Sequence, residues 1–153
     1  MTDTHTSVAV AAVAAAAAPS AADFGAFMLE TTTRLELELP NGETMLYNGL
    51  PVAVHLYGPA TEEYARAKAA MEKEGAARVF RAMNAGKNKK KGAEEDREAD
   101  AKFLTAVTAS FENFPFPGGA FAIYREPRLK YIGNQVQAHI NDLGNFFKAS
   151  KTS

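Results

Sequence analysis

An apolar stripe close to the C-terminus places the strongest constraint on the fold. Between Glu126 and Phe147 the sequence reads EPRLKYIGNQVQAHINDLGNFF, and Pro127 is a residue type suited to the first turn of a helix. The aliphatic residues that follow recur at intervals of three and four, at Leu129, Ile132, Val136, Ile140 and Leu143. This spacing predicts an amphipathic C-terminal helix whose apolar face must be covered.

The sequence between residues 34 and 49 has the period of β-strands instead. Leucine alternates with glutamate over residues 35–39, and Asn41-Gly42 follows as a pair typical of a type I′ turn. A two-residue loop at this pair predicts that Leu37 faces Leu46 across a β-hairpin. Asn48-Gly49 predicts a second turn.

A third strand is predicted over Val52–Leu56, ending at Gly58-Pro59. Three strands rarely form a stable unit alone, so helices are expected to cover their leucine face. The predicted fold class is therefore α+β, with a small N-terminal antiparallel β-meander covered by a mainly α-helical body.

Two long helical patterns supply this cover. The first is predicted from a cap at Thr61 to Met83 or Asn84, and the second from about Ala93 to Asn113. We expect the two helices to pack antiparallel, with a short helix over Ala120–Arg125 leading to the terminal one. The apolar stripe of the first helix comprises Tyr64, Ala67, Met71, Val79, Phe80 and Met83. That of the second comprises Phe103, Leu104, Val107, Phe111 and Phe114.

Length, charge and composition limit the function classes. A chain of 153 residues is about one domain, and a net charge of -1 gives no long-range attraction to nucleic acid or anionic membranes. Cysteine is absent, which excludes thiolate metal sites and disulfides and fits a cytosolic location. We expect a flexible arm at residues 1–25, one domain at 26–149 and a short tail at 150–153.

The N-terminal arm contains a run of alanine and valine over Val8–Ala18. This run resembles the apolar part of a signal peptide, but Met1–Ser7 has no lysine or arginine, and the run is shorter than the roughly 20 residues of a spanning helix. The predicted structure is a weakly helical arm. The alternative is an arm that becomes ordered on a partner.

A basic segment, GKNKKKG, occupies residues 86–92 between the two long helices. Its four lysines could contact phosphate or nucleic acid, but Glu94, Glu95 and Asp96 follow at once and cancel most of the charge. The predicted structure is a solvated loop. The spacing of a phosphate-binding P-loop is absent from the segment.

No catalytic, cofactor-binding or metal site is predicted. His5, His55 and His139 are isolated in the sequence, and Asp142, three residues after His139, forms at most a surface polar pair with it. Neither a nucleophile elbow nor a glycine-rich dinucleotide motif occurs. The sequence favours a non-enzymatic protein without a cofactor.

The terminal segment resembles the C-terminal pattern of tail assembly chaperones of long-tailed bacteriophages. The residues that carry the resemblance are Pro127, Tyr131, Gln135-Val136, Asp142 and Asn145-Phe146. The order of the preceding features also agrees: a strand ending in Gly-Pro (Val52–Pro59), a charged helix, a basic spacer and a second helix. The chain departs from the family where tryptophan is common, with Phe111 or Phe114 and Tyr131 in those places.

The resemblance implies a role in virus assembly. Such chaperones bind the tape measure protein in the host cytoplasm, keep it soluble, help recruit tail tube subunits and are absent from the mature virion. It also implies a partner-binding helix, with a candidate set of Tyr131, Gln135, Val136, Ile140, Asp142, Asn145, Phe146 and Phe147. The alternative for the apolar members is an intramolecular core, and Asn145 could instead cap the helix.

Two other functions remain open at the level of the sequence. A virion structural protein, such as a tail completion or head-tail connector subunit, would share the small size, mixed structure and neutral charge. A nucleic-acid-binding module would act through Lys87, Lys89, Lys90 and Lys91. Self-association is compatible with the chaperone role.

Overall fold

The computed structural model describes residues 18–85 and 89–147, except for the side chains of residues 85 and 89–92. The described part has an α+β fold, as predicted from the sequence. A small antiparallel sheet is covered on one face by helices, and one of its strands comes after the two long helices in the chain. The run Val8–Ala18, His5, Lys87 and the tail at 150–153 lie outside the described residues, apart from Ala18 itself.

The main sheet contains β1 (Thr32–Glu36), β4 (Ala53–Tyr57) and β5 (Thr108–Glu112), with β4 in the centre. Both pairings are antiparallel. Strands β2 (Leu46–Tyr47) and β3 (Leu50–Pro51) form a separate two-stranded ladder. The predicted meander of consecutive strands is therefore wrong in one respect, because the third strand of the main sheet comes from after the long helices.

The second long helix was predicted to reach Asn113, but it ends at Ala106 and the chain turns into β5. At the junction, Tyr57 N–H donates to the Val107 carbonyl at 2.8 Å. The backbone of β4 would otherwise lack a partner along this edge, and an unpaired buried backbone group is costly. Tertiary pairing thus overrides the helical spacing that continues to Phe111.

The hairpin around Asn41-Gly42, which pairs residues 37–39 with residues 43–45, is called the first hairpin. Its register differs by one residue from the predicted one. Leu39 N–H donates to the Glu43 carbonyl at 2.7 Å, and Met45 N–H donates to that of Leu37 at 2.9 Å. Because neighbouring side chains of a strand point to opposite faces, Met45 is buried and Leu46 is 55% exposed. The predicted pairing of Leu37 with Leu46 is wrong.

The two Asn-Gly pairs explain this difference. A type I′ turn needs positive φ at both central residues, and Asn48 (φ 55°) and Gly49 (φ 80°) meet that requirement between β2 and β3. In the first hairpin only Gly42 has positive φ, at 90°. The Asn41 side chain instead accepts from Glu43 N–H at 3.0 Å, which closes a longer loop.

The long helices are α1 (Glu62–Ala85) and α2 (Lys89–Ala106). Thr61 caps α1 as predicted, since its hydroxyl accepts from Tyr64 N–H at 3.2 Å. Helix α2 begins four residues before the predicted start. The basic connector predicted at residues 86–92 is thus helical from Lys89, and residues 86–88 lie outside the described part.

The chain continues through α3 (Gly119–Arg125), a 3₁₀ turn (Pro127–Leu129), α4 (Lys130–Asn141) and a last 3₁₀ turn (Leu143–Phe146). The predicted terminal helix is thus interrupted at Asp142, whose backbone is extended (φ -102°, ψ 102°). None of the helices in the described residues is long and apolar enough to cross a membrane.

The core lies between the inner face of the sheet and the helices. Three residues of the terminal stripe, Ile132, Val136 and Ile140, are at most 1% exposed, whereas Leu143 is 55% exposed. The other buried members are Leu37, Met45, Val52, Val54, Leu56, Ala67, Phe103, Leu104, Val107 and Ile123. The C-terminal segment therefore completes the core of the domain.

Candidate partner-binding surface

Gln135 joins α4 to the first hairpin. Its side-chain oxygen accepts from Glu38 N–H at 2.9 Å, and its amide nitrogen donates to the Glu38 carbonyl at 2.7 Å. The same nitrogen donates to the Tyr131 carbonyl at 3.3 Å. A primary amide that satisfies both backbone groups of one residue acts like an additional strand partner. Gln135 thus holds α4 against the first hairpin.

Asp142 and Asn145 end α4. The Asp142 carboxylate accepts from Gly144 N–H at 3.0 Å, which starts the last 3₁₀ turn. The Asn145 side chain donates to the His139 carbonyl at 3.0 Å, so it satisfies an acceptor of the final helical turn. The Asn145 carbonyl in turn accepts from the Thr33 hydroxyl at 3.3 Å. Both polar side chains therefore stabilise the end of α4 and the 3₁₀ turn that follows it.

Phe146 is completely buried, and its ring lies against Gly58 at the end of β4. The Glu30 N–H donates to the Phe146 carbonyl at 2.6 Å. A Cβ added at Gly58 would lie 2.9 Å from Cδ1 of the Phe146 ring and 2.9 Å from the Glu30 carbonyl oxygen. The Gly-Pro end of the strand and the Asn-Phe pair, which are both parts of the sequence resemblance, are therefore in contact.

These positions decide between the two alternatives that the sequence left open for the apolar members of the partner-binding set, a binding surface and an internal core. Val136, Ile140 and Phe146 are at most 1% exposed, so they cannot offer a surface to another protein while the domain is folded. Tyr131 is half-buried and packs against the same core. The apolar face was correctly placed on a helix, but this chain covers it with its own sheet. Of the remaining members of the set, Phe147 is half-buried.

The largest exposed apolar side chains of α1 lie near its C-terminal end. Val79, Phe80 and Met83 are 61%, 68% and 80% exposed. They were predicted to continue the inward stripe of Tyr64, Ala67 and Met71, and this prediction is wrong. The positions of α1 that actually follow Met71 toward α2 are charged.

Helical geometry places these three side chains on the side of α1 that faces away from α2. At 3.6 residues per turn, Val79, Phe80 and Met83 project opposite to Arg78 and Arg81, which pair with α2. Toward the N-terminus the same side continues with exposed alanines and with Glu72, a charged residue between them. We call this surface the outer face of α1, and it comprises Ala65, Ala69, Glu72, Ala76, Val79, Phe80 and Met83.

Other exposed apolar residues occur on short segments. Phe24 and Phe27 stand with ring centroids 6.5 Å apart on a 3₁₀ turn over Ala21–Phe27. Leu46 and Leu50 are 55% and 61% exposed on the ladder of β2 and β3. Neither segment presents a continuous helical face.

A polar cluster crosses the uncovered face of the main sheet. Arg34 on β1 donates from Nε and Nη2 to the two carboxylate oxygens of Glu112 on β5, at 3.1 and 2.7 Å. The Nε2 atom of His55, on β4 between them, lies 2.9 Å from Glu112 Oε1. The bonds from Arg34, and then that with His55, lower the pKa of Glu112 to about 2.

The sequence interpretation missed this cluster because it assigned Glu112 to a helix. The alternation of Thr108, Ser110 and Glu112 with Ala109 and Phe111 was the available signal for a strand. Ser110 lies opposite His55 in the sheet register. Within the described sheet, however, no hydrogen bond joins Ser110 to His55, and Glu112 occupies the Nε2 side of the imidazole. We interpret the cluster as a cross-strand link.

We expect Arg34→Ala to raise the pKa of Glu112 toward its ordinary value of 4.5, because the largest cause of the shift is removed. A carboxyl pKa lowered in the fold stabilises the protein above the unfolded value, and this contribution is lost as pH falls from about 4.5 toward about 2. Titration of the Glu112 carboxyl by NMR measures the change. His55→Ala is the matched control and should give a smaller rise. An unchanged pKa in Arg34→Ala would refute the assignment.

The described residues contain no group of three His, Asp or Glu side chains placed to hold a metal ion. Comparison of the chain with protein-family models, with curated proteins and with solved structures gives no match.

Proposed function

We propose that this chain is a non-catalytic assembly chaperone of the phage tail type, which holds an apolar helical segment of a tape measure protein on the outer face of α1. The observation that carries the proposal is the exposure of Val79, Phe80 and Met83 side by side on one long helix. A helix with an apolar face packs naturally against another amphipathic helix.

The second support is the sequence resemblance, now interpreted through the structure. Gln135, Asp142, Asn145 and Phe146 bond or pack within the domain and fix the C-terminal segment to the sheet. On this account the C-terminal pattern specifies the fold. The partner-binding surface lies elsewhere, on a helix whose apolar residues the domain leaves uncovered.

The proposed mechanism is reversible apolar contact. The outer face of α1 is small, so one copy gives weak binding, and several copies along one long tape measure would gain avidity from the shared scaffold. The proposal includes recruitment of tail tube subunits, a location in the host cytoplasm and absence from the mature virion, and it requires neither a cofactor nor nucleic acid.

The experiment that tests the proposal is co-expression with the long helical protein encoded by the neighbouring gene. We expect the soluble fraction of that protein to rise and the two chains to purify together. Mass spectrometry of purified particles provides the second measurement. A stoichiometric amount of this chain in mature particles would contradict the chaperone role and favour a virion structural subunit, since such subunits bury permanent interfaces.

We expect the double substitution Phe80→Ser and Met83→Ser to weaken partner binding by more than about tenfold, because it removes two side chains that would become buried in the complex. Isothermal titration with a peptide of the bound tape measure segment measures the affinity. The matched control is Leu46→Ser with Leu50→Ser, which removes two apolar residues that are 55% and 61% exposed on the β2–β3 ladder. Equal losses in the two variants would show that the outer face of α1 has no specific role.

A further inference from the structure

The interface between α1 and α2 is apolar at one end of the helices and charged at the other. The residues of α1 that point toward α2 follow one another at intervals of three and four, as in a coiled-coil seam. They are Tyr64, Ala67, Met71, Glu74, Arg78 and Arg81. The first three are apolar and the last three are charged, so two different forces hold the two halves together.

The half of the seam nearest the sheet is an ordinary apolar interface. Tyr64 and Phe103 meet edge to face with ring centroids 5.9 Å apart. Ala67 is 5% exposed, and Met71 is half-buried against the core. These contacts belong to the same core as the sheet and α4.

In the other half, the side chains that the structure describes form no apolar interior. Among residues 72–84 of α1 none is buried, and those that are half-buried are Glu74, Gly75 and Arg78. In α2 the described side chains before Ala99 are likewise exposed or half-buried. We call residues 74–84 and 93–98 the distal hairpin.

Ion pairs span the distal hairpin. Arg78 Nη1 donates to Asp96 Oδ1, Arg81 Nη2 lies 3.6 Å from Glu95 Oε2, and Lys102 Nζ at its base lies 3.5 Å from Glu74 Oε1. Each pair includes a side chain that is at least half exposed. Arg78 Nε is buried and has no hydrogen-bond partner among the described residues, which weakens this contact further.

We infer that the distal hairpin is a separately opening unit whose closure is controlled by ionic strength. Exposed ion pairs contribute little to the stability of a fold, and salt screens their attraction. The Debye length is about 10 Å at 0.1 M ionic strength and about 3 Å at 1 M. The apolar half of the seam lacks this sensitivity. Salt therefore separates the two helices beyond Glu74 while the domain beneath them remains folded. This inference is independent of the proposed partner.

Hydrogen exchange of the full chain, with NaCl raised from about 0.05 to about 1 M, tests the inference directly. We expect exchange in the distal hairpin to become about five- to tenfold faster, since up to three weak pairs are lost together. Exchange in β4 should remain unchanged. Equal acceleration throughout the domain, or no acceleration in the distal hairpin, would overturn the inference.

A charge exchange separates the ion-pair effect from general effects of salt. Arg78→Asp should open the distal hairpin at low salt, and Arg78→Asp combined with Asp96→Arg should restore its protection, because the pair is re-formed with the charges swapped. Lys73→Glu is the control on the same helix, since Lys73 is exposed and belongs to none of the three pairs. Failure of the double variant to recover protection would show that packing, and not charge, closes this part of the hairpin.

Discussion

Phe146→Ala is expected to lower the free energy of unfolding by about 3–5 kcal/mol, the range observed when a large buried aromatic side chain is removed. The ring is 0% exposed and fills the space beneath Gly58. Because a domain of this size is stable by about 5–15 kcal/mol, the loss would be a large fraction of the total. Chemical denaturation followed by circular dichroism measures it.

Phe80→Ala is the matched control for this variant. The same residue type is truncated, but Phe80 is 68% exposed, so the unfolding free energy should change by no more than about 0.5 kcal/mol. Should Phe146→Ala lose less than about 1 kcal/mol, the C-terminal segment would not be a structural part of the core, and its residues would again be candidates for partner binding.

Gly58→Ala should lower the unfolding free energy by about 1–3 kcal/mol, because a methyl group would overpack a filled site. The new carbon would lie 2.9 Å from both the Phe146 ring and the Glu30 carbonyl oxygen. Gly58 does not have the positive φ that favours glycine, so the cost would come from the contact alone. The same denaturation experiment measures it.

Gly25→Ala is the control for this glycine, since a Cβ at Gly25 meets no atom within 4 Å and its φ is not positive. A double-mutant cycle makes the test sharper. In a Phe146→Ala background, Gly58→Ala should cost less than in the wild type, because one of the two obstructing groups is gone. Additive losses would mean that Gly58 and Phe146 do not interact.

The sequence was most informative where local signals and tertiary packing agree. The stripe of Ile132, Val136 and Ile140 correctly indicated a helix with a buried face, and Thr61 correctly indicated the start of α1. The Asn48-Gly49 turn was also predictable, because both of its residues adopt the positive φ angles that their types favour.

Local signals failed where distant partners decide the structure. The strand β5 follows a helix without a break in apolar spacing, and it forms because β4 needs a partner for its open edge. The register of the first hairpin depends on Asn41, which forms a side-chain turn where a positive φ was expected. Neither outcome can be read from a window of neighbouring residues.

The candidate surface illustrates a different limit. Periodicity places Val79, Phe80 and Met83 on one part of a helix, but it cannot say whether the domain covers that part. Beyond Met71 the residues of α1 that face α2 are Glu74, Arg78 and Arg81. Val79, Phe80 and Met83 therefore face away from α2. Conversely, the sequence left Val136 and Phe146 open between a partner-binding surface and an internal core, and both lie in the core.

The most direct test of the account is a hydrogen-exchange footprint of the chain bound to the tape measure protein. The account predicts slower exchange on binding in residues 76–84 of α1, which carry Val79, Phe80 and Met83, and unchanged exchange in residues 130–146. The opposite pattern, with protection gained in the C-terminal segment and none on α1, would contradict it.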